Sequence, residues 1–132
     1  MLKRFDPVAG RNADIIESVI ATPEVSSLPE ELQFKIRQSV EEIEENILGY
    51  SGTTWIEVEV KEEDGILSIS FKDGGVKFDP LAKPDPDISA ALEDRPIGGL
   101  GIFICKQIMD TLNYRFENNS NLFIMSKRID RN

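Results

Sequence analysis

Histidine is absent from the 132 residues, and cysteine occurs once, at Cys105. Ser-His and Cys-His pairs and histidine metal sites are thereby excluded, and one thiol can form neither an internal disulfide nor a cysteine metal cluster. Any catalytic base must be a carboxylate, a lysine or a tyrosine. Positive charge is also scarce: 15 Lys+Arg against 24 Asp+Glu leave a net charge of −9. Duplex binding needs clustered cations to neutralise phosphates, so no direct nucleic-acid partner is expected, and an anionic membrane surface is disfavoured for the same reason. No apolar run approaches the roughly 20 residues of a membrane span, and MLKRFDPVAG lacks the apolar centre of a signal peptide. A cytoplasmic protein is the expectation. With 40% hydrophobic and 30% charged residues, the chain predicts a single domain, 1–132, around one core.

The clearest element lies at residues 29–48, where Leu32, Ile36, Val40, Ile43 and Ile47 recur at helical spacing. Pro29 before Glu30 and Glu31 marks its start, because proline fits a first turn and acidic residues complement the helix dipole. Gly49 marks its end. Upstream, ADIIESVIA predicts a shorter helix closing before Pro23, and MLKRF an edge strand. Residues 54–60 alternate, with Trp55 out of phase with Ile56, Val58 and Val60, as a half-buried strand does. Glu63-Asp64-Gly65 supplies a turn into a second strand over residues 66–71.

Residues 73–101 then hold four prolines and five glycines, too many for regular structure to persist. A loop of that length in a compact domain is commonly functional. Order returns after Gly101, with Ile102, Ile104 or Cys105, Ile108, Met109 and Leu112 on one helical face. Residues 114–116 and 122–125 flank an Asn118-Asn119-Ser120-Asn121 turn as a closing hairpin. The order predicts an α+β two-layer sandwich, its mixed, mainly antiparallel sheet covered on one face by helices.

Three constellations could carry chemistry. Glu42 and Asn46 lie four apart on the long helix and so share a face, a carboxylate beside a carboxamide oxygen that could serve as base and hard-cation ligand. The bland alternative is a solvated acidic face, given Glu30, Glu31, Glu41, Glu42, Glu44 and Glu45. Asp73-Gly74-Gly75, followed by Phe78-Asp79-Pro80, ends a strand with an acceptor for an exocyclic amine and glycines that let a flat ring approach; the alternative is an ordinary turn. Gly98-Gly99-Leu100-Gly101 opens a helix, where backbone N–H groups converge on a phosphate, or else it is a hinge. Arg95, Lys83, Lys77 and Lys106 are the neighbouring cations. The glycine run is neither a Walker loop nor a dinucleotide fingerprint.

In this order the three segments resemble the Bergerat-type ATPase domains shared by gyrase, histidine kinases and MutL. Glu42-x-x-x-Asn46 is similar to their N box, DGGVKFDP to the G1 box, and RPIGGLGIFICKQIMD to the G2 box. The FDP after D-x-G and the R-P-x-G-G-L-G stretch most resemble the anti-sigma factor serine/threonine kinases, over roughly residues 30–127. The resemblance implies the Bergerat ATP-binding fold with ATP and Mg²⁺ as cofactors. Glu42 would be the general base and Asn46 the metal ligand. Asp73 would accept the adenine amino group with Gly75 beside the ring, and Phe78, Arg95, Gly98, Gly99, Leu100 and Gly101 would complete the nucleotide site beneath an ATP lid at about 80–97. The implied partners are an anti-sigma factor antagonist, phosphorylated on serine, and a sigma factor, and homodimers are common in that family. A catalytically weak, nucleotide-gated binding module is the alternative.

The chain departs from the family at two places. Ile47-Leu48-Gly49-Tyr50 keeps one tyrosine and no histidine after the Asn, and Glu44 and Glu45 stand where apolar or small residues are usual. A Glu45 turned into the site would repel a triphosphate, whereas about 100° of helical rotation per residue could carry it to solvent.

Overall fold

The computed structural model describes residues 1–82 and 99–129. Its elements in chain order are β1 (Leu2–Phe5), α1 (Asn12–Ile20), α2 (Pro23–Ser26), α3 (Glu30–Tyr50), β2 (Ile56–Glu63), β3 (Ile66–Asp73), a 3₁₀ turn at Pro80–Ala82, α4 (Gly99–Ile108), β4 (Thr111–Glu117) and β5 (Ser120–Arg128). The strands form one sheet in the order β1-β2-β3-β5-β4. Every pairing among the described residues is antiparallel, in line with the mixed, mainly antiparallel sheet expected.

Strand alternation decides which residues meet the helices. Ile56, Val58 and Val60 of β2, Leu67, Ile69 and Phe71 of β3, and Phe123 and Met125 of β5 are buried against Ile36, Val40, Ile43 and Ile47 of α3 and Ile102 and Cys105 of α4 in one core. The opposite face carries Glu57, Glu59, Lys61, Ser68, Ser70 and Lys72. Both hairpins close on two residues of positive φ, Asp64 and Gly65 in the first, Asn118 and Asn119 in the second. That conformation matches the right-handed twist of the flanking strands, and asparagine, aspartate and glycine adopt it most readily.

Boundaries differ from the sequence expectation where a tertiary contact outweighs a local signal. Helix α3 runs past Gly49 to Tyr50, the Ser51 N–H still bonds the Ile47 carbonyl at 2.9 Å, and the left-handed residue that ends it is Gly52 at φ +66°. A glycine within a helix costs only about 1 kcal/mol, and the Tyr50–Phe78 stack and the Val76 N–H bond to the Ser51 carbonyl hold the last residues in place. Strand β2 continues beyond Val60 to Glu63 and β3 beyond Phe71 to Asp73, because each supplies the other's ladder. Helix α4 begins at Gly99, within the stretch expected to be irregular, and Leu112 belongs to β4 rather than to the helix. Met109 and Asp110 turn the chain there: the Asp110 N–H bonds the Ser126 carbonyl, and Lys127 Nζ bonds the Ile108 carbonyl at the helix C-terminus. Ser120 and Asn121, expected in the closing turn, are the first residues of β5. Among the described residues no helix is long and apolar enough to cross a membrane.

Candidate functional site

The face of α3 opposite α1 packs on α4, and Cys105 holds the two together, its Sγ–H donating to the Ser39 carbonyl at 3.5 Å. Burial pushes the Cys105 thiol up to about 12, so it is packing and not a nucleophile. One turn beyond Ser39, the Glu42 carboxylate rests against Gly101 in the first turn of α4, and a Cβ on Gly101 would collide with Glu42 Oε2. The glycine is thus what lets a carboxylate sit at the positive end of this helix. Burial, then Glu45, then Glu41, raise the Glu42 pKa above the ordinary carboxylate value. Asn46, buried one turn along, donates Nδ2 to the Glu42 carbonyl at 2.9 Å, leaving its amide oxygen turned away from the helix backbone. Glu45 is exposed and turned to solvent, as helical rotation allows.

Asp73 continues the core-facing row of Leu67, Ile69 and Phe71, so its buried carboxylate lies under the helices. Oδ1 accepts the Gly75 N–H at 2.9 Å and Asn121 Nδ2 at 3.1 Å. Oδ2 takes no hydrogen bond among the described residues, which leaves it as the unused acceptor. Gly75 is required for a reason the sequence does not display: a Cβ there would strike the Ser51 backbone, with Ser51 Oγ at 2.6 Å. The Val76 N–H bonds the Ser51 carbonyl at 2.8 Å, tying the segment after β3 to the end of α3. Phe78 stacks on Tyr50 at 4.9 Å between centroids, so the one tyrosine retained after Asn46 forms a wall of this corner. Asp79 caps the Pro80–Ala82 turn through Leu81 N–H at 2.8 Å.

The remaining expected residues divide. Gly99, Leu100 and Gly101 form the first turn of α4, as a phosphate cradle requires. Arg95, Gly98, Lys83 and nearly all of the expected lid lie outside the described residues. Lys77 rests over the Phe116 ring at 5.9 Å. Sequence reasoning missed Asn121 and Tyr114, which join Asp73 from β5 and β4; their signal was a turn-like asparagine run and a core-phase aromatic, each with a commoner explanation. It also misplaced the importance of Glu44, which is buried, with neither carboxylate oxygen bonded to anything.

The helical side of the sheet thus carries a carboxylate at a glycine-opened helix start, an amide one turn away and a buried aspartate at the end of β3. Residues 11–127 match the histidine kinase-like ATPase domain. The chain belongs to that family. The fold agrees. A chain of the SiaB–SiaC complex from Pseudomonas aeruginosa superposes with a TM-score of 0.65 at 15% identity, over 98% of this chain and 88% of the other. The catalytic domain of histidine kinase ThkA gives 0.56 at 15%, over 97% of each. The Acinetobacter baumannii histidine kinase AdeS gives 0.57 at 15%, over 99% and 68%. No curated protein matches significantly.

Membership of this ATPase family makes ATP the nucleotide to be fitted. Its usual Mg²⁺ suits the residues present only in one way. No group of three or more acidic, histidine or cysteine ligands exists among the described residues. The Asn46 amide oxygen, which no described residue hydrogen-bonds, fits a hard cation whose other ligands are phosphates and water.

Proposed function

We propose that this chain is an ATP-dependent serine kinase acting on a partner protein of the anti-sigma factor antagonist type, and that it also binds a sigma factor. The observation that carries the proposal is the Glu42 carboxylate seated against Gly101 at the start of α4, where a terminal phosphate bound by the α4 backbone amides would lie beside it. A pKa raised chiefly by burial brings Glu42 nearer to neutrality, where a general base works best while still ionised. Glu42 takes the proton of the serine hydroxyl as its oxygen bonds to the γ-phosphorus, and the bond to the bridging oxygen breaks with its electron pair leaving on ADP. Such transfer is mostly positioning and charge neutralisation.

In this reading Asp73 Oδ2 accepts the adenine amino group, Phe78 and Tyr50 border the base, and the backbone of Gly98, Gly99, Leu100 and Gly101 receives the phosphates with Arg95 assisting. Asn46 Oδ1 would hold Mg²⁺, which supplies neutralisation of phosphate charge. The chain acts as one domain, 1–132, in the cytoplasm, its lid at about 80–97, and works as a homodimer. A second reading, a nucleotide-gated module without appreciable transfer, is favoured by the fold neighbour found in complex with a second protein. Calorimetric titration of Mg-ATP tests the site. Binding to the wild type and its loss in Asp73→Asn are expected, whereas a wild type that binds no ATP rejects the nucleotide site. Glu42→Ala should keep ATP affinity within about threefold while phosphoserine formation on the partner falls about a hundredfold or more. Nucleotide-dependent partner affinity with no phosphoserine from the wild type would establish the second reading instead.

A further inference from the structure

Asn121 opens β5 directly opposite Asp73, at the end of the register in which Ile69 faces Met125 and Phe71 faces Phe123. Only 4% of it is exposed, and all four hydrogen-bonding positions of its amide are used. Nδ2 donates to Asp73 Oδ1 at 3.1 Å and to the Val76 carbonyl at 2.8 Å. Oδ1 accepts the Phe78 N–H at 3.0 Å and the Tyr114 O–H at 2.5 Å. The orientation of this amide is not arbitrary. A carbonyl and a carboxylate can only accept and a backbone N–H can only donate, so turning the amide over would break three of the four bonds. Burial, with Asp79 and Asp73 nearby and against the opposing Phe78 hydrogen bond, raises the Tyr114 pKa, so its hydroxyl stays a donor.

We propose that Asn121 is the positioning residue that gives the site its preference for a base with an exocyclic amino group. The proposal rests on Asp73 being the base-reading carboxylate. By occupying Oδ1 together with the Gly75 N–H, Asn121 fixes the rotation of the carboxylate and leaves Oδ2 as the oxygen that no described residue hydrogen-bonds, the acceptor for the base. A 6-amino group satisfies that acceptor, and a 6-oxo group sets oxygen against oxygen. The same amide clamps Val76 and Phe78, and hence the segment that borders the base. Tyr114 in turn holds the amide. The pocket's selectivity therefore depends on a residue two strands away in sequence that need not touch the nucleotide itself.

The test is calorimetric titration of the full chain with Mg-ATP and with Mg-inosine triphosphate, for wild type, Asn121→Ala and Tyr114→Phe, with thermal melts of each. Wild type should prefer ATP by about a hundredfold, the cost of leaving one buried acceptor unpaired. In Asn121→Ala the ATP affinity should fall about tenfold or more while inosine triphosphate is nearly unchanged, so the ratio collapses. Tyr114→Phe, which removes one hydroxyl and keeps the ring, should lower the ratio about threefold and covers the case in which Asn121→Ala does not fold. Equal losses for both nucleotides, or an unchanged ratio in either folded variant, would overturn the role of Asn121. A wild type that binds neither nucleotide would instead reject the ATP site itself, and a wild type that binds both equally would reject the base-reading role of Asp73.

Discussion

Among the described residues the Glu44 carboxyl is the only carboxyl that is buried with both oxygens unbonded, at 1% exposure. Burial first, then Glu45 and Glu41, push its pKa up to about 8, so at neutral pH it is held as the acid. Seven residues before it on the same face of α3, Arg37 pairs with Glu17 of α1 at 2.6 Å, which places Glu44 on the side of α3 turned toward α1 and away from Asn46. The folded protein therefore keeps a proton that the unfolded chain releases near the ordinary glutamate value. Stability is fullest below that value, falls by about 1.4 kcal/mol per pH unit as pH rises toward 8, and levels off above it. In melts from pH 4 to 9, Glu44→Gln should match the wild type at the acid end and melt higher at the alkaline end. Parallel curves would show that Glu44 is not buried as the acid.

At the scale of elements, the site depends on three that meet only because glycine removes a side chain at their contacts. The segment after β3 closes on the end of α3 at Gly75, and α4 closes on the middle of α3 at Gly101. The two differ in what a methyl would hit. At Gly75 it meets Ser51 backbone, which cannot turn aside, so Gly75→Ala should cost about 1–3 kcal/mol of stability and loosen Asp73 with it. At Gly101 it meets the end of the Glu42 side chain, which can rotate away, and alanine favours a helix over glycine by about 1 kcal/mol. Gly101→Ala should therefore keep or raise the melting temperature while phosphate transfer falls, because the base has been displaced. Denaturant unfolding and phosphoserine formation measured on both variants check the contrast; a Gly101→Ala protein with full transfer would show that the carboxylate does not act from that position.

For the molecule as a whole, the five-stranded sheet is the fixed body and the helices carry the site against it. Strand β3 sits at the centre, paired along its full length with β2 on one side and β5 on the other, with Leu67, Ile69 and Phe71 wholly buried beneath the helices. Strand β1 is a four-residue edge whose Leu2 is 62% exposed. Opening free energies follow burial and pairing, so amide exchange should be slowest at Leu67, Ile69 and Phe71 and fastest in β1. Because Asp73 ends that slowest strand, its backbone should stay protected with or without nucleotide, and added Mg-ATP should slow exchange chiefly at residues 74–79 and the first turn of α4. Uniform slowing across the sheet would point to global stabilisation rather than to a pocket between these elements.

Local physics was enough to place most elements. Periodicity in residues 32–47 and alternation in residues 56–60 are backbone geometry written as hydropathy, and Asp64-Gly65 and Asn118-Asn119 have few other conformations to choose. The candidate residues Glu42, Asn46, Asp73 and the glycines could be picked out of the sequence because the chemistry proposed for them needs those types at those intervals. Tertiary structure decided what depends on several chain segments at once. Gly49 signals a helix end, yet contacts made by Tyr50 and Ser51 across the fold carry α3 onward. Nothing near Asn121 in sequence distinguishes a turn asparagine from one that bonds Asp73, 48 residues away. Likewise Glu44 and Glu45 are alike in type and adjacent in sequence, and only the packing of the fold around α3 buries one and leaves the other exposed. Spacing along a chain specifies which side chains can share a face; which of them lose their water is settled by the elements that close over that face.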